Sequence, residues 1–267
     1  MLLAIDCGNT NTVFTLFEAE KRLSEWRLET VSRRPADEYF IALCHVFESQ
    51  KLYYTDIEDC ILASVVPDIT HHLVRFCEER LAVTPMVVGD EGVRLYLDVQ
   101  TDDPAQVGAD RLVNAVAVAA SGDAPAIILD FGTATTFDVV LPAAADEDVL
   151  AIYAGGVIAP GVHCSVEALV AAAAKLPSLA FDDFEPDLPV LGTSTQSAMK
   201  SGVLWGYVGL IDGLLTRLKA ERGMAEAVVI GTGGMASLFA PHIEAIDKVD
   251  SALTMNGLRI IFDRNKG

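Results

Sequence analysis

The sequence predicts an α/β protein of two similar halves, each with the plan β-β-β-α-β-α-β, and a cleft between them. Three observations carry that expectation. An apolar strand runs into Asp6-Cys7-Gly8-Asn9-Thr10-Asn11-Thr12 and out through Val13-Phe14-Thr15-Leu16-Phe17. The arrangement returns where Ala126-Ile127-Ile128-Leu129 enters Asp130-Phe131-Gly132-Thr133-Ala134-Thr135-Thr136 and leaves through Phe137-Asp138-Val139-Val140. Each copy reads strand, Asp-x-Gly-x-x-x-Thr, strand. Finally, 51% of the 267 residues are hydrophobic, enough for a sizeable core.

The remaining elements follow in order. Arg22–Glu29 alternates as a third strand should. Ala36–Glu48 carries Phe40, Leu43, Cys44 and Phe47 at helical spacing, with Pro35 where a first helical position would be. Asp59–Val66 reads as a buried strand, Asp68–Arg80 as a helix and Met86–Val88 as a short strand. A boundary near Ala115–Asp123 divides the chain into residues 1–115 and 116–267. In the second half, strands are expected at Ala126–Phe131, Thr135–Leu141 and Val149–Val157, with helices at Val162–Ala174 and Thr195–Lys219. A strand at Ala227–Ile230, a helix after Gly233, a short strand near Ala245–Asp247 and a helix at Ser251–Phe262 complete the repeat. Asp182–Gly192, acidic and holding Pro186 and Pro189, reads as an excursion.

Charge and cysteine usage narrow the classes of function. The net charge is −19, from 38 acidic and 19 basic residues. Such a field repels nucleic-acid phosphates and anionic lipid, and no basic patch offsets it. No apolar run reaches the ~18–20 residues that span a bilayer. The start, Met1-Leu2-Leu3-Ala4-Ile5-Asp6, reads as a core strand and not as a signal peptide. Five cysteines, with no C-x-x-C spacing, argue against a disulfide framework or zinc site and for a reducing cytoplasm.

The doubled hairpin points to phosphoryl chemistry. Gly8 and Asn9 tolerate positive φ, so the turn can aim its N–H groups at one point, and Thr10, Asn11 and Thr12 add side-chain donors. A ring of donors on a tight turn is an anion nest. Asp6 ends the strand, placed to hold Mg²⁺ or its waters. Neither copy is a P-loop or a Rossmann fingerprint. An ordinary Asn/Gly turn would explain one copy, but not the recurrence. Gly231-Thr232-Gly233-Gly234, after an apolar strand and before a helix, would let a flat ring or a phosphate approach closely. Gly108-Ala109-Asp110-Arg111 opens the Ala/Val-rich helix Leu112–Ala120. Asp110 there either offsets the helix dipole or takes a proton from a substrate alcohol while Arg111 binds a substrate oxygen. Gly155-Gly156-Val157-Ile158-Ala159-Pro160-Gly161 permits close packing or ligand approach. His163 and the pair His71-His72 lack ligand spacing.

Over essentially its whole length, the chain resembles the type III pantothenate kinases. Asp6-x-Gly8-Asn9-Thr10-Asn11-Thr12, Gly108-Ala109-Asp110-Arg111, Asp130-Phe131-Gly132-Thr133-Ala134-Thr135, Gly155-Gly156-x-Ile158-x-Pro160-Gly161 and Gly233-Gly234 match the family's motifs in order. Ala173-Ala174-Lys175-Leu176-Pro177 and Gly257-Leu258-Arg259 fit as well. The resemblance implies the acetate and sugar kinase/Hsp70/actin (RNase H-like) fold. It also implies phosphorylation of the terminal hydroxyl of pantothenate by ATP, the first step of coenzyme A synthesis. By position it makes Asp110 the proton acceptor. Thr101, Gly108, Ala109, Asp110, Arg111 and Thr195 would bind pantothenate, Thr195 from the other subunit of a homodimer with its site at the interface. Asp6, Cys7, Gly8, Asn9, Thr10, Asn11, Thr12 and Val13, with Thr133 and Gly233, would hold ATP. Asp130 would sit at a K⁺ or NH₄⁺ site, and Mg²⁺ would accompany ATP, with Asp6 as a metal-side carboxylate. The implied enzyme is cytoplasmic, binding neither nucleic acid nor membrane.

The chain departs from the family where Tyr-x-Asn-Pro is usual: here it reads Thr101-Asp102-Asp103-Pro104. Asp103 sets a carboxylate near a carboxylate substrate, so it should be paired or face away. Cys7 stands where a small apolar residue is usual. Two other readings are a kinase or phosphatase of the same fold acting on another small substrate, and a non-catalytic nucleotide-binding accessory regulator.

Overall fold

The computed structural model describes residues 1–146, 148–173, 175–181, 184, 188–221 and 223–267. They form two compact units. The first comprises Met1–Gly122, Ala144–Ala151 and Ala252–Gly267; the second comprises Asp123–Ala143 and Ile152–Ser251. The units depart from halves at 1–115 and 116–267 in two places, because the tip of one long hairpin and the C-terminal helix join the first unit. Of the Asp182–Gly192 excursion, residues 182, 183 and 185–187 lie outside the described residues.

The first unit is built on β1 (Leu2–Cys7), β2 (Asn11–Glu18), β3 (Lys21–Glu29), β4 (Asp59–Ser64) and β5 (Met86–Val87). Their order in the sheet is β3-β2-β1-β4-β5, with β1 antiparallel to β2 and parallel to β4. The period of two along β1 divides its side chains between two cores. Leu3, Ile5 and Cys7 pack against α1 (Ala36–Gln50) and α2 (Pro67–Arg80), among Leu43, Phe47, Leu73 and Phe76. Leu2 and Ala4 pack on the opposite side against α3 (Ala109–Ser121) and the C-terminal helix, among Val113, Val116, Leu258 and Ile261. Proline opens both α1 and α2, but differently. Pro35 is the residue before α1, one position earlier than expected, whereas Pro67 occupies the first turn of α2.

The second unit repeats the plan. Its strands are β7 (Ala126–Phe131), β8 (Ala134–Asp146), β9 (Val149–Pro160), β10 (Val228–Gly233) and β11 (Lys248–Val249). The order β11-β10-β7-β8-β9 reproduces the first sheet in reverse, and β6 (Leu97–Val99) adds a sixth strand beside β9. The far end of β9 belongs to the first unit, where the Leu150 N–H donates to the Tyr96 carbonyl at 2.7 Å. Ile127, Leu129 and Phe131 face a core closed by α4 (Val162–Ala172), α5 (Thr195–Lys219) and the four-residue α6 (Ala236–Phe239). The chain ends in α7 (Leu253–Lys266). Among the described residues, no helix is long and apolar enough to cross a membrane.

Three expectations change in extent. The β8–β9 hairpin is longer than expected, ending at Asp146 and beginning again at Val149. The strand near Ala245–Asp247 lies slightly later, at Lys248–Val249. The helix after Gly233 is a single turn, because Pro241 follows it closely and cannot continue a helix.

Candidate active site

In the first unit, chemistry collects at the carboxyl ends of the parallel strands β1 and β4, where ligands bind in open α/β sheets. Asp6 is the penultimate residue of β1, opposite Val13 on β2 and Ala63 on β4. Successive strand residues face opposite ways, so Asp6 shares the face of Leu2 and Ala4 that α3 covers. The N-terminus of α3 sits at the same strand ends. The Val65 N–H donates to the Cys7 carbonyl at 3.0 Å, and a Cβ at Gly108 would lie 3.6 Å from Val65 Cγ1. That Cβ would also lie 2.5 Å from Asp110 Oδ1, so the Asp110 carboxylate folds back over Gly108. Asp110 Oδ1 accepts the Arg111 N–H at 2.8 Å. The structure thus brings Asp6, Gly108 and Asp110 to one side of the first sheet.

The turn after β1 has four residues. Cys7 and Thr12 are the last cross-strand pair, and the Gly8 N–H closes the loop onto the Asn11 carbonyl at 3.0 Å. Asn9 and Thr10 are exposed, Gly8 and Asn11 half-buried, and Cys7 and Thr12 buried. Sequence reasoning treated Thr12 as a phosphate donor. It is instead fully buried, with its hydroxyl 3.0 Å from Thr30 Oγ1 and 3.5 Å from Cys7 Sγ. Thr12 faces the core because it pairs with Cys7, so its hydroxyl shapes the turn from behind. Burial pushes the Cys7 thiol above its ordinary 9.0, and the Thr12 hydroxyl offsets part of that rise. Cys7 is therefore a neutral core side chain, not a nucleophile.

The second hairpin is one residue tighter. Phe131 pairs with Thr135, leaving a three-residue turn that the Gly132 N–H closes onto the Ala134 carbonyl at 3.0 Å. The structural counterpart of Thr12 is therefore Thr135, also fully buried, and not Thr136 as the sequence repeat implies. Thr133 is exposed at the tip, and Asp130 is half-buried. Alongside lies β10, with Asp130 opposite Thr232 and Phe131 opposite Gly233. Gly233 has φ +87°, and a Cβ there would lie 2.4 Å from Asp130 Oδ1 and 2.7 Å from Phe131 N and O. The Asp130 carboxylate therefore rests against bare backbone at the end of β10. Gly234 is exposed, and no atom of the described residues would lie within 4 Å of its Cβ, which leaves its backbone open to a flat ring. The single turn of α6 adds no helix dipole worth counting to this glycine run.

At Gly161 the close packing expected of the Gly155–Gly161 stretch is found. A Cβ there would lie 1.9 Å from the Thr133 carbonyl oxygen, so the start of α4 packs directly behind the second turn. Tyr207 Oη, from α5, donates within the same knot to the Pro160 and Gly161 carbonyls, each at 3.0 Å. Its sequence signal was a glycine after proline at a helix start.

The remaining sequence-predicted residues fall elsewhere. Asp103 is paired within its own turn. Its Oδ1 accepts the Ala105 N–H at 3.2 Å and its Oδ2 accepts from Gln106 Nε2 at 2.8 Å, capping the short turn that leads to Gly108. Thr101 Oγ1 is buried with no hydrogen-bond partner among the described residues. Thr195 is exposed at the start of α5, within the Ser194–Ser197 capping box. It lines an open cavity of about 980 Å³ in the second unit, with Ser165, Thr193, Met199 and Tyr207. That volume is at the upper end of the range for small-ligand sites.

Comparison with known proteins adds the rest. A family model described as type III pantothenate kinase matches residues 2–217. Type III pantothenate kinases of Rhodospirillum centenum and Paramagnetospirillum magneticum are 48% and 47% identical, covering 99% of this chain and 99% and 98% of their own. That of Caulobacter vibrioides is 45% identical over 99% of this chain and 98% of its own. Among solved structures, a protein described as a Baf family transcriptional activator from Campylobacter jejuni has a TM-score of 0.60 at 17% identity, covering 99% of this chain and 98% of its own. A ROK hexokinase from Thermus thermophilus has a TM-score of 0.50 at 14% identity, covering 100% and 99%. At such identities, these two likenesses establish the duplicated actin-like fold and nothing finer.

Proposed function

We propose roles for these groups from one premise: the chain belongs to the type III pantothenate kinase family. It is a pantothenate kinase, and its reaction serves coenzyme A biosynthesis. The phosphoryl donor is ATP. The observation that carries the assignment of roles is the gathering of Asp6, Gly108 and Asp110 on one side of the first sheet. Phosphoryl transfer asks a protein mainly to position its reactants and to neutralise charge. In this reading the turn Gly8–Asn11 directs backbone N–H groups at the ATP phosphates, joined by Thr133 at the tip of the second turn. Gly233 and Gly234 give the nucleotide unobstructed backbone. Asp110 accepts the proton of the terminal hydroxyl of pantothenate, and Arg111 binds a substrate oxygen.

Carboxylate and carbonyl oxygens are the donor set that hard cations require, and both hairpins supply them. Mg²⁺ carried by ATP would neutralise phosphate charge, with Asp6 beside it. Asp130, pressed against the backbone of Gly233 where a Cβ would otherwise stand, would hold a monovalent cation, K⁺ or NH₄⁺. Thr195 would contact pantothenate in a second copy of the chain, making the enzyme a homodimer. Free thiols at Cys7, Cys44, Cys60, Cys77 and Cys164 accord with a cytoplasmic enzyme. A coupled ADP assay tests the whole reading. ADP should form only when ATP, Mg²⁺, K⁺ and pantothenate are all present. ATP binding without pantothenate-dependent ADP would refute the activity, and full activity in Na⁺ alone would remove Asp130 from its role.

A further inference from the structure

The first turn is held from behind by one residue outside every motif. Thr30 follows β3 directly. Its backbone N–H donates to the Thr10 carbonyl at 2.9 Å, and its hydroxyl donates to the Gly8 carbonyl at 2.8 Å. Its Oγ1 lies 3.0 Å from Thr12 Oγ1. The single hydroxyl proton of Thr30 goes to Gly8, a carbonyl that can only accept, and the Thr12 hydroxyl, which also reaches Cys7 Sγ, packs beside it.

These contacts fix the direction of two peptide groups. In a trans peptide, C=O and N–H point to opposite sides. The carbonyls of Gly8 and Thr10 both turn toward Thr30. The N–H groups of the same peptides, those of Asn9 and Asn11, therefore point away from it, on the side where a phosphate would lie. A plain four-residue turn would do otherwise. It would close with the Asn11 N–H donating to the Gly8 carbonyl and so withdraw one of these donors. Thr30 occupies that acceptor instead.

We infer that Thr30 is a positioning residue for the ATP phosphates: it keeps Asn9 and Asn11 N–H aimed at the nucleotide without touching it. The inference rests on the reading that this turn holds ATP. The second hairpin needs no such residue. Its shorter turn is backed by main chain at Gly161.

The test compares Thr30→Val, which keeps the shape and removes the hydroxyl, with Thr30→Ser, which keeps the hydroxyl. Thr30→Ala replaces the valine variant if that does not fold. The measurements are KM for each substrate and Kd for a non-hydrolysable ATP analogue and for adenosine. Thr30→Val should raise KM for ATP and Kd for the analogue by about five- to tenfold, the size of one hydrogen bond. Adenosine affinity and KM for pantothenate should stay within about twofold. Thr30→Ser should restore the wild-type values. An unchanged KM for ATP in Thr30→Val, equal effects on both substrates, or failure of serine to restore would each overturn the assignment. If the wild-type protein binds the analogue no better than adenosine, the phosphate reading of the turn itself fails. If it does discriminate and Thr30→Val leaves that discrimination intact, only Thr30 is misassigned.

Discussion

Gly233 and Gly234 are adjacent, yet methyl groups on them should have opposite consequences. At Gly233 the backbone has φ +87°, and a Cβ would lie 2.4 Å from Asp130 Oδ1 and 2.7 Å from Phe131 N and O. The left-handed conformation costs a residue with a Cβ about 1–2 kcal/mol. Two of the three neighbours are backbone atoms of the paired strand β7, which cannot swing aside as the end of a flexible side chain can. Overpacking of that kind costs about 1–3 kcal/mol. Gly233→Ala should therefore lose about 2–5 kcal/mol, at ~2–4 °C per kcal/mol for a chain of this size. The expected fall in Tm is roughly 4–20 °C. Gly234→Ala meets nothing within 4 Å, and its Tm should stay within about 2 °C of wild type, as for surface substitutions. Thermal unfolding followed by circular dichroism measures both. A K⁺ titration of the activity adds a second readout: under the cation role proposed for Asp130, its displacement should raise the K⁺ requirement of Gly233→Ala. If Gly233→Ala melts with the wild type, or Gly234→Ala falls as far, the close approach of β10 to Asp130 does not constrain this position.

Other expectations follow from single residues. Asp110→Asn should lower kcat by about 10²–10⁴-fold, the usual worth of a general base, with ATP affinity unchanged; an unaltered kcat would make Asp110 a structural residue. Gly257→Ala would place a Cβ 2.3 Å from the Val113 carbonyl oxygen, forcing α7 off α3. Helix propensity favours alanine by about 1 kcal/mol, but a backbone overlap outweighs it, so the urea midpoint should fall; a midpoint that rises would show that the helices separate cheaply. Burial raises the Cys7 thiol above its ordinary 9.0, so the folded state holds that proton more tightly than the unfolded chain. This contribution is complete below pH 9.0 and is lost as pH rises toward the folded value. Stability should therefore decline above about pH 9, while exposed Cys164 reacts with a thiol reagent well before buried Cys7, Cys60 and Cys77. Rapid labelling of all five thiols in the native protein would contradict that burial.

The sequence made the repeat legible because two strand–turn–strand units carry the same polar residues between apolar runs. It could not give the turn lengths. Counting from Asp6 and Asp130 aligns Thr12 with Thr136, whereas cross-strand pairing aligns Thr12 with Thr135. Polar letters do not show on which face of a strand they fall; the pairing register decides that. Thr30 was illegible for a related reason. It lies in no motif, and only the β2–β3 pairing brings it to the tip of a turn twenty residues earlier in the chain. Asp103 was legible as a departure but not as a solution, since a cap on the Ala105 N–H depends on the chain turning at Pro104. The helix expected after Gly233 is held to one turn, because helical letters at Ala236–Phe239 meet Pro241.

The assignment of α7 to the first unit has a consequence for how the molecule comes to exist. Leu258 and Ile261 lie in the same core as Leu2 and Ala4, so a strand made early is completed by a helix made much later. The main stretch of the second unit ends at Ser251, before that helix is made. The order of synthesis and the order of completion are therefore reversed: the younger unit can close while the older one still waits with an apolar face uncovered. Contacts of such long sequence separation are slow to form, and an uncovered strand face is prone to aggregate. The vulnerable interval in the life of this protein is thus the time between emergence of β1 and arrival of α7.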